Sequence, residues 1–555
     1  MENGVSQATR KQRGAFFTPP AIAEFLATWA VSDNPDSRIL DPTCGEAVFL
    51  ISAGKELQRA GCRSESLEGQ LFGVDVDAGS LGEASRLLTQ GGVSAHLVED
   101  DFFSLPSPDQ LGCPLPLMDA VIGNPPFVRY QLHSGDTRTR SAKAALRQGV
   151  RLSGLASSWA ALLVHACSFL KPDGRLAMVL PAELLTVHYA EPIRRWLRRR
   201  FAAVNLVMFE RLQFEGALEK VVLVVARGSG GCDAFSLYHV RDAADLNQIR
   251  PFDEFAVTPS EEGKWTDLLL PMDQRQLFKR VCTDSFVPLE TYGSPELGTV
   301  TGANDFFAIS EVTRKQYGLT QRQLTPISPP GTRHLRGTTF SGHDWETLRD
   351  AGERVWLLTP NPNDRSKSLS QYTKHGRSLG IHEAYKCTIR DPWWRPPVVT
   401  PPDLFFTYMS HRFPRLIRNQ AGTSFLNSMH GVRLTPGHRR AKHALPLLAL
   451  NSVSLLGSEL FGRSYGGGIL KMEPREAASL PVPSPEALDK AWRLLSEKER
   501  SHLDRLLRDR RWTSVLARVD DVLLRSAIGI SHGDVEQLHD AARSLRERRL
   551  GRQTT

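Results

Sequence analysis

The 555-residue chain carries 69 Lys and Arg against 61 Asp and Glu, a net charge of +8, with 41% hydrophobic and 23% charged residues. That length and balance fit a soluble protein of two or three domains and weakly favour a polyanionic partner. Seven scattered cysteines with no Cys-x-x-Cys argue against a disulfide framework or a zinc site, and no stretch approaches the roughly 18 apolar residues of a membrane span.

Residues 1–13 are polar and expected to be flexible; Arg10, Lys11 and Arg13 are followed by no apolar core, so no signal peptide is expected. Phe17-Thr-Pro-Pro20 precedes a helix whose Ile22, Phe25, Leu26 and Trp29 fall on one face, with the prolines where a first turn tolerates them. Arg38-Ile-Leu-Asp41 is a predicted strand, Pro42-Thr-Cys-Gly45 a tight turn, and Val48 opens the next helix. Strand, glycine turn and helix N-terminus present backbone N–H groups to a ligand. The turn lacks the spacing of a dinucleotide fingerprint, which favours an uncharged or cationic ligand over a phosphate.

The second strand, Gln70 to Val74, ends on Asp75, placed to accept the two hydroxyls of a ribose. The third, Ser94 to Val98, leads to Asp101-Phe-Phe103, a carboxylate for an exocyclic amine with aromatics beside it. The fourth lies in Asp119-Ala-Val-Ile-Gly-Asn-Pro-Pro-Phe127. There Asn124 stands at a strand's carboxyl end, held extended by the prolines that follow, with Phe127 three residues on. An Asn amide offers an acceptor and two donors, suited to gripping a planar amide or amine. Four strands thus end in Asp41, Asp75, Asp101 and Asn124, and such residues at the ends of parallel strands converge on one crevice.

In this order the motifs Phe17-Thr-Pro-Pro20, Asp41-Pro-Thr-Cys-Gly45, Gly73-Val-Asp75, Asp101-Phe102 and Asn124-Pro-Pro-Phe127 resemble those of gamma-group, Taq-type DNA adenine-N6 methyltransferases of type II restriction–modification systems. The resemblance covers most of residues 14–230 closely and the second half loosely. It implies an α/β class I S-adenosylmethionine-dependent methyltransferase fold, with a seven-stranded Rossmann-like sheet. A mixed α+β target-recognition domain and a helical C-terminal segment are expected to follow. It implies that Thr18, Asp41, Pro42, Cys44 and Gly45 hold the methionine part of S-adenosylmethionine, Asp75 its ribose, Asp101 its adenine amine and Phe102 its adenine ring. Asn124, Pro125, Pro126 and Phe127 are implied as the catalytic tetrapeptide, with Phe127 and Phe214 stacking on a flipped target base. One departure is Glu46-Ala47, where family members often have a second glycine.

Between Val128 and Ser157 lie six basic residues and one acid, Asp136; Arg129, Arg138 and Arg140 are candidate phosphate contacts. The Arg194–Arg200 run reads as basic residues complementing a helix C-terminus. Expected boundaries are 14–245 for the catalytic domain, 246–289 for a linker, 290–485 for target recognition and 486–555 for a helical segment. In the recognition region Tyr385, Lys386, Arg390, Trp393 and Trp394 are basic–aromatic candidates for DNA contact, with Lys386 and Arg390 the expected cations. Taken together, a site-specific adenine methyltransferase is expected, cytoplasmic in a prokaryote, monomeric, acting on duplex DNA and needing no metal. A separate cognate restriction endonuclease is an expected partner, and a fused nuclease is not expected. The competing readings are an RNA-adenine or protein-glutamine methyltransferase with the same clamp, and a DNA specificity protein without catalysis.

Overall fold

The computed structural model describes residues 18–128, 135–154, 156–209, 221–249, 256–259, 263–465 and 468–550. The chain divides between Pro271 and Met272 into two compact units, each with its own core.

In the first unit, helix α1 (Pro20–Val31) opens on the predicted proline pair and buries Ile22, Leu26 and Trp29. Strand β1 (Ile39–Asp41), helix α2 (Val48–Arg59), strand β2 (Leu71–Asp75), helix α3 (Ala78–Gln90) and strand β3 (His96–Glu99) follow, then β4 (Met118–Gly123). Helices α4 (Gly135–Arg147) and α5 (Ser158–Ala166) lead to β5 (Leu170–Pro181), and α6 (Glu191–Arg200) leads to β6 (Ala203–Phe209). Strands β7 (Val221–Arg227), β8 (Phe235–Val240) and β9 (Ala256–Val257) complete the sheet.

The sheet order is β3-β2-β1-β4-β5-β7-β6-β8-β9. Strands β3 to β5 run parallel, and β7 is antiparallel to both its neighbours. The seven strands expected are present, and the sheet is wider than expected: β8 pairs in parallel with β6 and β9 turns back along β8. Period-two alternation sends Leu40, Val121, Leu176 and Met178 to one core, and Ile39, Ala120, Ile122 and Ala177 to the other. Strand order reverses between β1 and β4, the switch point where ligands bind in open α/β sheets.

The division between the units falls within the expected linker, 246–289, and described residues on its N-terminal side are part of the first unit's core. Trp265 and Leu268 are buried in the core of the first unit, with Phe235 edge-on to Trp265 at 5.0 Å. Beyond Pro271, helix Met272–Ser285 and strand Phe286–Pro288 belong to the second unit.

The second unit contains a five-stranded sheet of Gly293–Leu297, His430–Leu434, Leu404–Phe406, Leu416–Asn419 and Thr339–Phe340, in that order. Two three-stranded sheets and a two-stranded pair accompany it. Helices Pro485–Leu494, Glu497–Arg508, Trp512–Asp520 and His532–Leu550 finish the described chain, with a π-helical turn at Asp521–Ile528. No described helix is long and apolar enough to cross a membrane.

Candidate active site at the ends of the parallel strands

The turn after β1 is built around Asp41. Its carboxylate is buried; Oδ1 accepts the Thr43 N–H at 3.1 Å, while Oδ2 has no partner. Burial raises its pKa to about 8, and the nearby charge of Asp75 adds to the rise against the Thr43 bond. A buried, half-satisfied carboxylate of this kind is a seat for a cationic ligand group. Gly123 permits the arrangement, because a Cβ there would stand 2.8 Å from Asp41 Oδ1.

Asp75 closes the turn from the other side. Its Oδ2 accepts the Gly45 N–H at 2.9 Å and its Oδ1 the Asp77 N–H at 2.9 Å, while Cys44 N–H donates to the Val74 carbonyl. Gly45 has φ +49°, with open space where a Cβ would project, so the backbone can approach a ligand closely. Ala47 also adopts a left-handed conformation, φ 63°, fully buried at the start of α2. The backbone here takes the shape that a glycine takes without strain, and the alanine bears it.

Asn124 follows β4 directly. Its Nδ2 donates to Thr18 Oγ1 at 3.2 Å, and its Oδ1 is buried without a partner. The amide is therefore oriented by a residue 106 positions earlier, leaving the acceptor free. Ser158, marked by no motif, pins the tetrapeptide from α5: its hydroxyl donates to the Pro126 carbonyl and accepts the Val128 N–H at 3.0 Å. Asp119 anchors the opposite end of β4, accepting from Lys171 Nζ at 2.7 Å and the Arg38 N–H at 2.9 Å. Phe127 packs partly against both cores of the unit.

Asp101 sits beside Asp75, whose carbonyl accepts the Asp100 N–H at 3.1 Å. Thr18, Asp41, Gly45, Asp75, Asp101 and Asn124 are thereby joined through adjacent strand ends. Other residues are placed differently from expectation. The Phe102 ring is 3% exposed and packed on His165 and Phe169, with centroids 4.9 and 5.1 Å away, so it is core beneath the strand end rather than an open stacking face. Arg140 pairs with Asp101 at 2.8 Å, and Arg138 donates to the Gly154 carbonyl. Arg390 gives its guanidinium to the carbonyls of Val300 and Thr301, which makes it a loop brace instead of a free cation. Lys386 is exposed, its Nζ 5.4 Å from the Tyr385 ring. Arg129 and Phe214 lie outside the described residues.

The strand order, with a crevice at its switch point, is that of a class I S-adenosylmethionine-dependent methyltransferase fold. Residues 3–223 match the family model of N-6 DNA Methylase, and residues 262–524 that of the C-terminal domain of Type II methyltransferase M.Eco57I. These matches and the curated relatives support an adenine-specific N6 DNA methyltransferase of a type II restriction–modification system, with S-adenosylmethionine as methyl donor. It is 21% identical to Type II methyltransferase M.AccI of Acinetobacter calcoaceticus, over 85% of each chain. To Type II methyltransferase M.XamI of Xanthomonas campestris pv. amaranthicola it is 25% identical over 86% of each. Among solved structures it is similar to the type IIG restriction endonuclease BpuSI, with TM-score 0.46, 14% identity, and coverage of 98% of this chain and 67% of that one.

Proposed function

We propose that this chain is a gamma-group enzyme that methylates N6 of an adenine flipped out of duplex DNA, with Asn124-Pro-Pro-Phe127 as the clamp on the target amine. The observation that carries the reading is the buried, unpartnered Asn124 Oδ1 beside the turn built on Asp41. Bound S-adenosylmethionine supplies an electrophilic methyl group on a sulfonium. The residues of the chain that fit it are Asp41 toward the cationic methionine end, the Gly45 turn, Asp75 toward the ribose and Asp101 toward the adenine amine.

The N6 lone pair of adenine is delocalised into the ring, which makes it a poor nucleophile. Asn124 Oδ1 accepts one N6 hydrogen and the Pro125 carbonyl the other, which favours a pyramidal nitrogen with its lone pair directed outward. Displacement then follows from positioning and electrostatics, without a carboxylate base at the amine. The nitrogen gives up its extra proton to solvent after transfer. A base within a duplex is out of reach, so the target is extruded and Phe127 replaces part of its lost stacking. Phe214, in the β6–β7 connection, is the proposed second stacking residue.

Residues 290–485 are proposed to read the DNA site, with exposed Lys386 as a phosphate contact. The protein is proposed to act as a monomer in the prokaryotic cytoplasm beside a separate restriction endonuclease. Transfer of labelled methyl from S-adenosylmethionine to duplex DNA, RNA and protein tests the reading. Label in DNA recovered as N6-methyladenine is expected; label confined to RNA or to glutamine side chains would replace it with one of the competing activities.

A further inference from the structure

The basic helix α4 lies between the clamp and α5, and its cations do not share one role. Ser141, Ala144 and Ala145 are buried, while Lys143 and Arg147 project to solvent. Arg140 turns the other way. Its Nη2 donates to Asp101 Oδ2 at 2.8 Å and to Thr137 Oγ1, one turn back, at 3.2 Å. Asp101 Oδ1 is occupied by the Phe103 N–H at 3.0 Å, so the carboxylate is held at both oxygens, one by its own turn and one by α4. The side chains are 41% and 23% exposed, at the rim of the crevice and not under it. His165 completes the support from below, its Nε2 3.1 Å from the Phe102 carbonyl.

We propose that Arg140 is a positioning residue for the methyl donor, fixing the Asp101 carboxylate for an adenine amine and docking α4 over that end of the crevice. The proposal rests on the reading of Asp101 given under the proposed function. A carboxylate held by one backbone N–H can still rotate about its side chain. A guanidinium on the second oxygen fixes its plane. Each carboxylate oxygen has a second lone pair, so the ion pair leaves acceptor capacity for a neutral amine. Phosphate contact by this helix then falls to the exposed Lys143 and Arg147, since Arg138 is engaged with the Gly154 carbonyl.

The test is calorimetric binding of S-adenosylmethionine to the full chain without DNA, for wild type, Arg140→Gln, Arg140→Lys, Asp101→Ala and the Arg140→Gln/Asp101→Ala double variant. Melting curves establish that each variant is folded. Arg140→Gln is expected to weaken binding about fivefold, the size of a half-exposed ion pair's contribution. Arg140→Lys should recover most of that loss, and Arg140→Gln should add nothing once Asp101 is gone. The dependence of DNA binding on salt should keep its wild-type slope. Wild-type cofactor affinity in Arg140→Gln, together with a salt slope smaller by about one, would overturn the proposal in favour of a phosphate contact. Tighter cofactor binding in that variant would overturn it too, since the pair would then be a block to be displaced. Failure of the wild-type protein to bind S-adenosylmethionine would instead bring down the methyltransferase reading, and this proposal with it.

Discussion

Asp41 is the side chain whose chemistry most constrains what the crevice can hold. With its pKa raised to about 8 by burial, it is largely protonated in the free protein at neutral pH. A cationic ligand group favours the ionised form, so binding releases a proton wherever the pH is below that value. S-adenosylmethionine affinity should therefore rise by up to about tenfold per pH unit between pH 6 and 8, then level off. Calorimetry in buffers of different ionisation enthalpy reads both the affinity and the proton, and Asp41→Asn should flatten the profile. Ala47 supports a second prediction. Its left-handed backbone costs about 1 kcal/mol that glycine avoids, so Ala47→Gly should raise the melting temperature, and an unchanged or lower value would contradict the strain. The identity of these residues was legible in the sequence because strand ends in a parallel sheet converge. Their partners were not: the Asn124–Thr18 bond and the Arg140–Asp101 pair join residues far apart in the chain. Basic residues in a Ser- and Gly-containing insertion read as phosphate contacts until the packing of α4 turns one of them inward.

Among the elements, the strands that carry the site followed from short apolar runs broken by glycine and proline; β1 and β2 end on the residues expected, and Asn124 comes directly after β4. What the pattern hid was the continuation of the sheet into β8 and β9, since two strands separated by polar turns resemble a loosening chain. The same holds for residues 246–289, where isolated Trp265 and Leu268 are buried by partners that sequence periodicity cannot name. In the second unit, helix Glu497–Arg508 is fastened to the edge of the five-stranded sheet by Asp504. Its Oδ1 accepts both the N–H and hydroxyl of Thr338 at 2.6 Å, and its Oδ2 accepts from Arg508 Nε at 2.9 Å. Arg508 in turn reaches Asp344 at 3.0 Å and the Thr339 carbonyl at 3.2 Å. Asp504→Ala removes the acceptor of a backbone N–H and should cost about 1–2 kcal/mol. Hydrogen exchange should then speed up in Thr338–Phe340 and in Glu497–Arg508 together; exchange confined to one of them would contradict the clamp.

For the whole molecule, two compact units correspond to two consecutive family matches, and the candidate site lies in the first. In the proposed reading the donor crevice and the amine clamp are separate functions built on neighbouring strands, β1 and β2 for one and β4 for the other. That division makes them separable by mutation. On the proposed reading Asn124 offers its free Oδ1 to the target amine, whereas Asp41 and the Gly45 turn serve the donor. Asn124→Ala removes the acceptor and leaves the turn intact. The decisive measurement pairs methyl transfer to duplex DNA with calorimetric S-adenosylmethionine binding in this one variant. Transfer lost by at least about a hundredfold with cofactor affinity within a few-fold of wild type is the predicted result. Near-normal transfer by Asn124→Ala would contradict the assignment of the amine clamp to Asn124.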